Sequence, residues 1–362
     1  MDKPITGQLG KEFLSDYSNI TRPYVAKYLR QEIAKAKKIG IVPAEALESF
    51  GKMVIDGKGI RGSLVVLGYL AGGGKDMGKI YEASAFMELF HSGILVHDDF
   101  MDRDNLRRGR ETIHKEFERK ASGLNVKTDP MHFGNSMAVN VGDISFFMSW
   151  KKIIKSGFDM QNIIKVTEIF SNYVIRLVHG QEMDILMTGD SNASEKDILN
   201  MLWIKSGEYT ALLPLLSGVA FAGEKDLAKL KAIEKYAKCF GWAFQIQDDY
   251  LGLFGNEKET GKPAVSDIRE GKNTLFMLYL RKDGTPEQKT FQNSVLGNKN
   301  ITKKDLDKMR ETLHTSGVTQ KVLQKGWGYV EEGKKYIPAI TKDKNLQKTL
   351  ESLLVYMMER TK

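Results

Sequence analysis

The chain has 362 residues, 41% of them hydrophobic, and a formal net charge of +8, which supplies apolar material for a large core and a basic balance suited to anionic partners. Its single cysteine, Cys239, excludes an internal disulfide framework, and the polar stretch 1–16 predicts no signal peptide. The basic residues are spread along the chain without zinc-ligand spacing or an RNA-binding motif, so no nucleic-acid partner is expected.

In chain order, apolar residues recur at helical spacing over 79–102, 134–156, 161–186, 196–223 and 225–253, and few β-branched runs alternate with period two. Breaks fall at 72–74, where three glycines stand together, at 121–132 with Pro130, at 188–193 and at 255–267. This pattern predicts an all-α fold, a bundle of long helices. One domain over 1–362 is expected, because no Pro/Ser-rich linker or low-complexity segment divides the chain. The most apolar stretch, 211–223, is interrupted by Pro214 and is too short to span a bilayer, so no transmembrane segment is expected. Residues 122–130 read as a surface loop without a motif.

Two acidic clusters interrupt apolar helical runs. The first is Asp98-Asp99-Phe100-Met101-Asp102, followed by Arg107-Arg108-Gly109; the second is Gln245-Ile246-Gln247-Asp248-Asp249. Adjacent aspartates often mean no more than a solvated face or a helix N-cap. Here both pairs follow apolar residues, where unpaired charge is costly, and basic residues flank both. Asp98 and Asp102 are four residues apart and share a helix face, with Asp99 turned away. Hard carboxylate oxygens suit Mg²⁺, which completes its octahedron with water and substrate phosphates. With Asp248 facing the first cluster from a second helix, the array would hold a diphosphate through metal ions.

At these motifs the chain resembles the trans-isoprenyl diphosphate synthases, also called head-to-tail polyprenyl synthetases. Their DDxxD and RRG motifs stand here as Asp98 to Asp102 and Arg107 to Gly109, and their second motif is matched by Gln245, Asp248 and Asp249. Gly57-Lys58-Gly59-Ile60-Arg61 resembles the upstream GKxxR element. Gly180 to Asp184, Lys205 to Thr210, Gly261-Lys262-Pro263 and Ser266 to Lys272 fit further motifs in family order, so the resemblance covers about 57–274. Two departures stand out: Gly252 replaces the last aspartate of the second motif, and Gly59 and Gly62 stand where relatives carry Arg and Pro.

The resemblance implies an isoprenoid synthase type helical bundle with a central substrate cavity, and a Mg²⁺-dependent enzyme that condenses isopentenyl diphosphate with an allylic diphosphate. It implies three Mg²⁺ ions, bound with the allylic diphosphate and held by Asp98, Asp102 and Asp248, with Arg107, Lys205 and Lys262 assisting departure of pyrophosphate. Lys58, Arg61, His91 and Arg108 would bind the diphosphate of isopentenyl diphosphate without metal, and Lys272 joins the substrate-binding set. Ser206, Gln245 and Tyr209 would surround the reacting carbons. His97 reads as a support for the metal-binding carboxylates. A homodimer is implied as well, and the lone Cys239, read as a small buried apolar residue in a reducing cytosol, points to the cytoplasm.

Product length depends on residues one and two turns before Asp98, namely Ile94, Gly93, Phe90 and Met87. Farnesyl-forming relatives close the pocket with an aromatic four or five positions before the first aspartate. Here those positions are Ile94 and Gly93, which leaves Phe90 as the floor and favours geranylgeranyl diphosphate, with a farnesyl or longer product as the alternative. A class I terpene cyclase would need an Asn/Ser/Glu metal motif near Asp248, which is not seen. A noncatalytic subunit would typically have lost one aspartate cluster, and both survive.

Overall fold

A computed structural model of the chain describes residues 5–190, 192–255 and 266–361, which fall into two compact units. The first unit comprises Glu12–Glu168 and Pro214–Glu224; the second comprises Met1–Lys11, Ile169–Leu213 and Lys225–Lys362.

The first unit draws on α1 (Gln8–Lys37), α2 (Ile41–Ile55), α3 (Ile60–Ala71), α4 (Met77–Met101), α5 (Ile113–Lys120), α6 (Pro130–Ile154) and the start of α7 (Met160–Met187). Its central helix is α4, begun by Asp76, whose side chain accepts the Lys79 N–H at 3.0 Å. Ile80, Phe86, Met87, Leu89 and Phe90 of α4 are buried. Helix α6 starts at Pro130, four residues before the expected 134, with the proline in the first turn and Asp129 capping His132 N–H. Glycines notch α4 against α6. A Cβ on Gly93 would overlap Ser145 Oγ, and one on Gly142 would overlap the His97 ring.

Between α4 and α5 lies a hairpin that the helical reading did not foresee. Strands β1 (Leu106–Arg107) and β2 (Arg110–Glu111) pair antiparallel, with Arg107 opposite Arg110. The two linking residues, Arg108 and Gly109, have φ of 52° and 75°, so the motif's arginine-glycine step is a tight turn with both central residues left-handed. Arg108 is held in that region by its Nη1, which donates to the Met53 carbonyl at 2.9 Å.

The second unit contains the remainder of α7, α8 (Glu195–Leu202), a π-helix (Trp203–Leu212) and α10 (Leu227–Phe254); α9 (Leu213–Phe221), between the last two in the chain, belongs to the first unit from Pro214 onward. Then follow α11 (Ser266–Glu270), α12 (Leu275–Asp283), α13 (Pro286–Val295), α14 (Lys303–Thr315), α15 (Val318–Lys334), α16 (Ile337–Ile340) and α17 (Lys344–Glu359). The predicted helix over 196–223 is therefore three elements. Pro214 lacks the N–H that would continue an α ladder, and its ring crowds the carbonyl a turn before it. The turns preceding it are the widened ones, and ten residues of π-helix are long for that form. Two close approaches flank them. Gly180 of α7 lies against the Lys205 backbone, and Gly241 of α10 lies against Gly207, each with no room for a Cβ.

No helix among the described residues is long and apolar enough to cross a membrane. The hairpin is the sole sheet among them.

Candidate active site

In the first unit, the C-terminal end of α4 carries the first aspartate cluster. Asp98 is half-buried in the last turn, and half-buried Asp102 is the C-cap, its N–H bonded to the Asp98 carbonyl at 2.8 Å. Asp99 turns inward, as its spacing predicts, and is 2% exposed. It accepts from Arg107 Nε at 2.7 Å and from Arg107 Nη2, with Asp104 at 3.5 Å from the same guanidinium. Burial disfavours the charge on Arg107, but Asp99, Asp98 and Asp104 outweigh it and hold the guanidinium firmly protonated. The hairpin thus serves to fold Arg107 back over the helix end.

A basic corner forms two turns earlier. Arg61, in the first turn of α3, is 6% exposed. Half-buried His91 is kept neutral, its pKa pushed well below the usual value by desolvation and then by Arg61, Arg108, Arg107 and Lys58. The structure therefore gathers five of the sequence-predicted residues, Lys58, Arg61, His91, Arg107 and Arg108, into one positive field.

Two residues that the sequence reading passed over shape this corner. Glu88, one turn before His91, is buried and accepts the Gly62 N–H at 2.8 Å. Burial raises its pKa, opposed by that N–H and by Arg61 and Arg108. Buried Tyr17 bonds Ser84 at 2.9 Å and fills the space a Gly62 side chain would need. The departure at Gly62 now has a reason: a proline would lack the N–H that meets Glu88, and its ring would meet Tyr17. Gly59, with φ of 72°, is a left-handed N-cap against Tyr17 and Ser18. An acid in the apolar run Ala85 to Phe90 was the available signal for Glu88.

His97 departs from its expected role. Its Nε2 lies 3.1 Å from the Val139 carbonyl and 3.7 Å from Asp143 Oδ1, both on α6, and its ring meets Phe146 edge-on. It fastens α4 to α6 instead of supporting the aspartates. Of the chain-length residues, Met87 and Phe90 are wholly buried, and the Phe90 ring packs 5.4 Å from Phe146. Ile94 is half-buried, and Gly93 faces Ser145. Gly93 therefore serves the helix crossing and does not leave an open space for an aromatic.

In the second unit, Lys205 and Ser206 sit half-buried on the π-helix, with Tyr209 buried one turn on. Lys205 Nζ pairs with Asp184 Oδ2 at 2.5 Å. Gln245 donates to buried Asp249 at 2.8 Å, leaving Asp248 as the outward carboxylate, its side chain 46% exposed and 2.6 Å from Arg360. Lys272 pairs with Glu270 at 2.9 Å. Lys262 lies outside the described residues.

The fit of a cation can be tested on the helices themselves. The C-terminal end of a helix carries partial negative charge and favours cations. Helix α4 nevertheless ends in Asp98, Asp99 and Asp102, α10 has Asp248 and Asp249 in its penultimate turn, and neither has a basic residue in its last turn. Among the described residues no three His, Cys, Asp or Glu side chains form a ready-made metal cluster. One or two carboxylates per helix end fit an ion that keeps water and takes its remaining oxygens from a phosphate substrate.

The polyprenyl synthetase family model matches residues 44–313. The chain belongs to the polyprenyl synthetase family. Similar curated members include geranylgeranyl diphosphate synthase from Saccharolobus solfataricus, 30% identical over 80% of this chain and 82% of that protein. Another is the short chain isoprenyl diphosphate synthase of Methanocaldococcus jannaschii, 31% identical over 80% and 83%. Among solved structures, geranylgeranyl pyrophosphate synthase from Corynebacterium glutamicum, complexed with isoprenyl diphosphate and magnesium, is 26% identical. It matches with a TM-score of 0.89 over 96% of this chain and 99% of that one. The all-α fold is that of the isoprenyl synthases, and the chain is a trans-prenyltransferase of the short-chain type. Both acidic clusters and the basic corner fall inside the segment matched by the polyprenyl synthetase model.

Proposed function

We propose that this prenyltransferase uses Mg²⁺ to condense isopentenyl diphosphate with an allylic diphosphate and releases geranylgeranyl diphosphate. The observation that carries the reading is on α4: carboxylates Asp98 and Asp102 end the helix, and His91 in the basic corner lies seven residues before Asp98. At a rise of 1.5 Å per residue that is about 10 Å, room for two diphosphates, one held through metal and one by Arg, Lys and His directly.

In this reading Asp98, Asp102 and Asp248 would hold three Mg²⁺ ions. When bound, these supply charge neutralisation to the departing pyrophosphate. Arg107, Lys205 and Lys262 donate to the same leaving group. Lys58, Arg61, His91 and Arg108 hold the second diphosphate, where the planar fork of Arg suits phosphate oxygens. Loss of pyrophosphate leaves an allylic cation near Ser206, Tyr209 and Gln245. The alkene of isopentenyl diphosphate attacks it, forming the new carbon–carbon bond, and the released pyrophosphate accepts the proton that restores a double bond. Phe90, backed by Phe146, is the proposed floor of the tail path, with Met87 beneath it and Ile94 beside it.

A homodimer is part of the proposal. It is supported by a stripe on α6 in which Ile144, Phe147, Trp150 and Ile154 are 43, 67, 38 and 55% exposed, and an apolar face of this kind calls for a partner. A cytoplasmic setting is supported by Cys239, a buried free thiol whose pKa burial pushes up to about 11. The test is incubation of purified protein with Mg²⁺, isopentenyl diphosphate and, separately, dimethylallyl, geranyl and farnesyl diphosphates. A C20 diphosphate is expected from each primer; an end product of C15, or of chains longer than C20, would overturn the product assignment, and no product would overturn the activity.

A further inference from the structure

Arg360 follows α17 directly, far from any motif, yet it is bound to one turn of α10. Its side chain is 3% exposed, and the guanidinium lies over the Phe244 ring at 4.3 Å. Nη2 donates to the Phe244 carbonyl at 3.0 Å and to Asp248 Oδ1 at 2.6 Å. The Arg360 carbonyl accepts from Gln247 Nε2 at 2.8 Å, and its N–H donates to Tyr356 O at 3.0 Å. One residue therefore grips positions 244, 247 and 248 of α10 through side chain and backbone together.

A buried guanidinium needs a counter-charge, and here the counter-charge is the half-exposed carboxylate of the second cluster. We infer that Arg360 is the positioning residue for Asp248, fixing one carboxylate oxygen so that the group is presented in a single orientation to a divalent cation. The inference rests on the proposed reading of Asp248 as a metal ligand. An ionised carboxylate has about four acceptor sites, so an arginine and a metal share it without exclusion. Bonds of this kind to a ligating carboxylate set its direction and basicity, and their loss typically costs 10–100-fold in metal affinity or activity. The part of Arg360 over the Phe244 ring is the guanidinium, and Arg360→Met places an unbranched apolar side chain there and removes the donor.

The experiment is a titration of the full chain with Mn²⁺ in the presence of inorganic pyrophosphate, following free Mn²⁺ by electron paramagnetic resonance. Arg360→Met, Arg360→Lys, Asp248→Asn and the Met/Asn double variant are compared with wild type. Arg360→Met should raise the half-saturating Mn²⁺ about tenfold. Arg360→Lys should recover most of the loss, because one ammonium nitrogen replaces the one nitrogen that serves both Phe244 O and Asp248. In the Asp248→Asn background Arg360→Met should change nothing further. Wild-type Mn²⁺ binding by Arg360→Met, with Asp248→Asn impaired, would sink the inference. So would an equal loss in both backgrounds, which is what a general anchoring of α17 predicts. If Asp248→Asn itself binds normally, the reading of Asp248 as a ligand fails first. Should Arg360→Met lose the native melting transition, Arg360→Gln carries the same comparison.

Discussion

His91 offers a test of the basic corner that needs no substrate. Desolvation, then Arg61, Arg108, Arg107 and Lys58, keep its imidazole neutral in the folded protein, whereas an unfolded His titrates near pH 6.5. Below that value the unfolded chain binds a proton the folded chain refuses, so stability is fully present above the unfolded pKa and is lost as pH falls. With no uptake in the folded state, lowering the pH from 7.0 to 5.5 removes about 1.3 kcal/mol through this one group. His91→Gln keeps an amide of similar reach and abolishes the titration. Urea unfolding at both pH values should show wild type losing about 1.3 kcal/mol more than the variant, the other histidines cancelling in the difference. Equal losses would mean that His91 is not held in a positive field, and the corner would lose its claim to be a preformed anion site.

Asp98→Asn or Asp102→Asn should cut turnover on the order of a thousandfold, ~4 kcal/mol. Without metal each should leave stability unchanged or raise it by roughly 0.5 kcal/mol, since each relieves like charge at a helix C-terminus; near-normal product formation would refute the metal assignment. Arg61→Ala should raise the Michaelis constant for isopentenyl diphosphate more than that for the allylic primer, and equal rises would dissolve the partition between the two anchors. Gly93→Phe should cost at least about 1–3 kcal/mol through collision with Ser145, and a wild-type melting curve would contradict the α4–α6 contact. Phe147→Glu should shift the protein toward monomer by light scattering; an unchanged mass would remove α6 as the dimer face.

The long helices were legible because apolar residues recur through them at helical spacing, on one side of α7 and all round α4 over 83–90. The stretch read as 79–102 is Met77–Met101, and that read as 161–186 is Met160–Met187, the errors falling at caps, where periodicity carries no information. Two features escaped. The hairpin strands have two residues each, too short to alternate, so the turn at Arg108-Gly109 was visible only as a motif. The segment 196–223 shows apolar recurrence throughout, and recurrence alone does not separate α from π winding. Pro214 marked the place without saying which way the backbone would give.

The site divides along the same physical line. Ligand candidates were legible because their chemistry demands particular side chains at fixed helical offsets, as with Asp98 and Asp102. The residues that hold them were not, because support requires only that something complementary arrive in space. Asp99 and Arg107 are eight residues apart and meet because a hairpin reverses the chain. Glu88 meets the Gly62 N–H across the α3–α4 crossing. Arg360 reaches Asp248 across 112 residues. Asp99 and Arg360 each stand beside an opposite charge, and Glu88 accepts a backbone N–H in the field of Arg61 and Arg108; removing one member strands a partner in low dielectric, at a cost of about 3–5 kcal/mol when a charged group is fully buried. Glu88→Ala should therefore destabilise the first unit more than any single change at the half-buried aspartates. That asymmetry separates the part of the site built for substrate from the part built to keep charge in place.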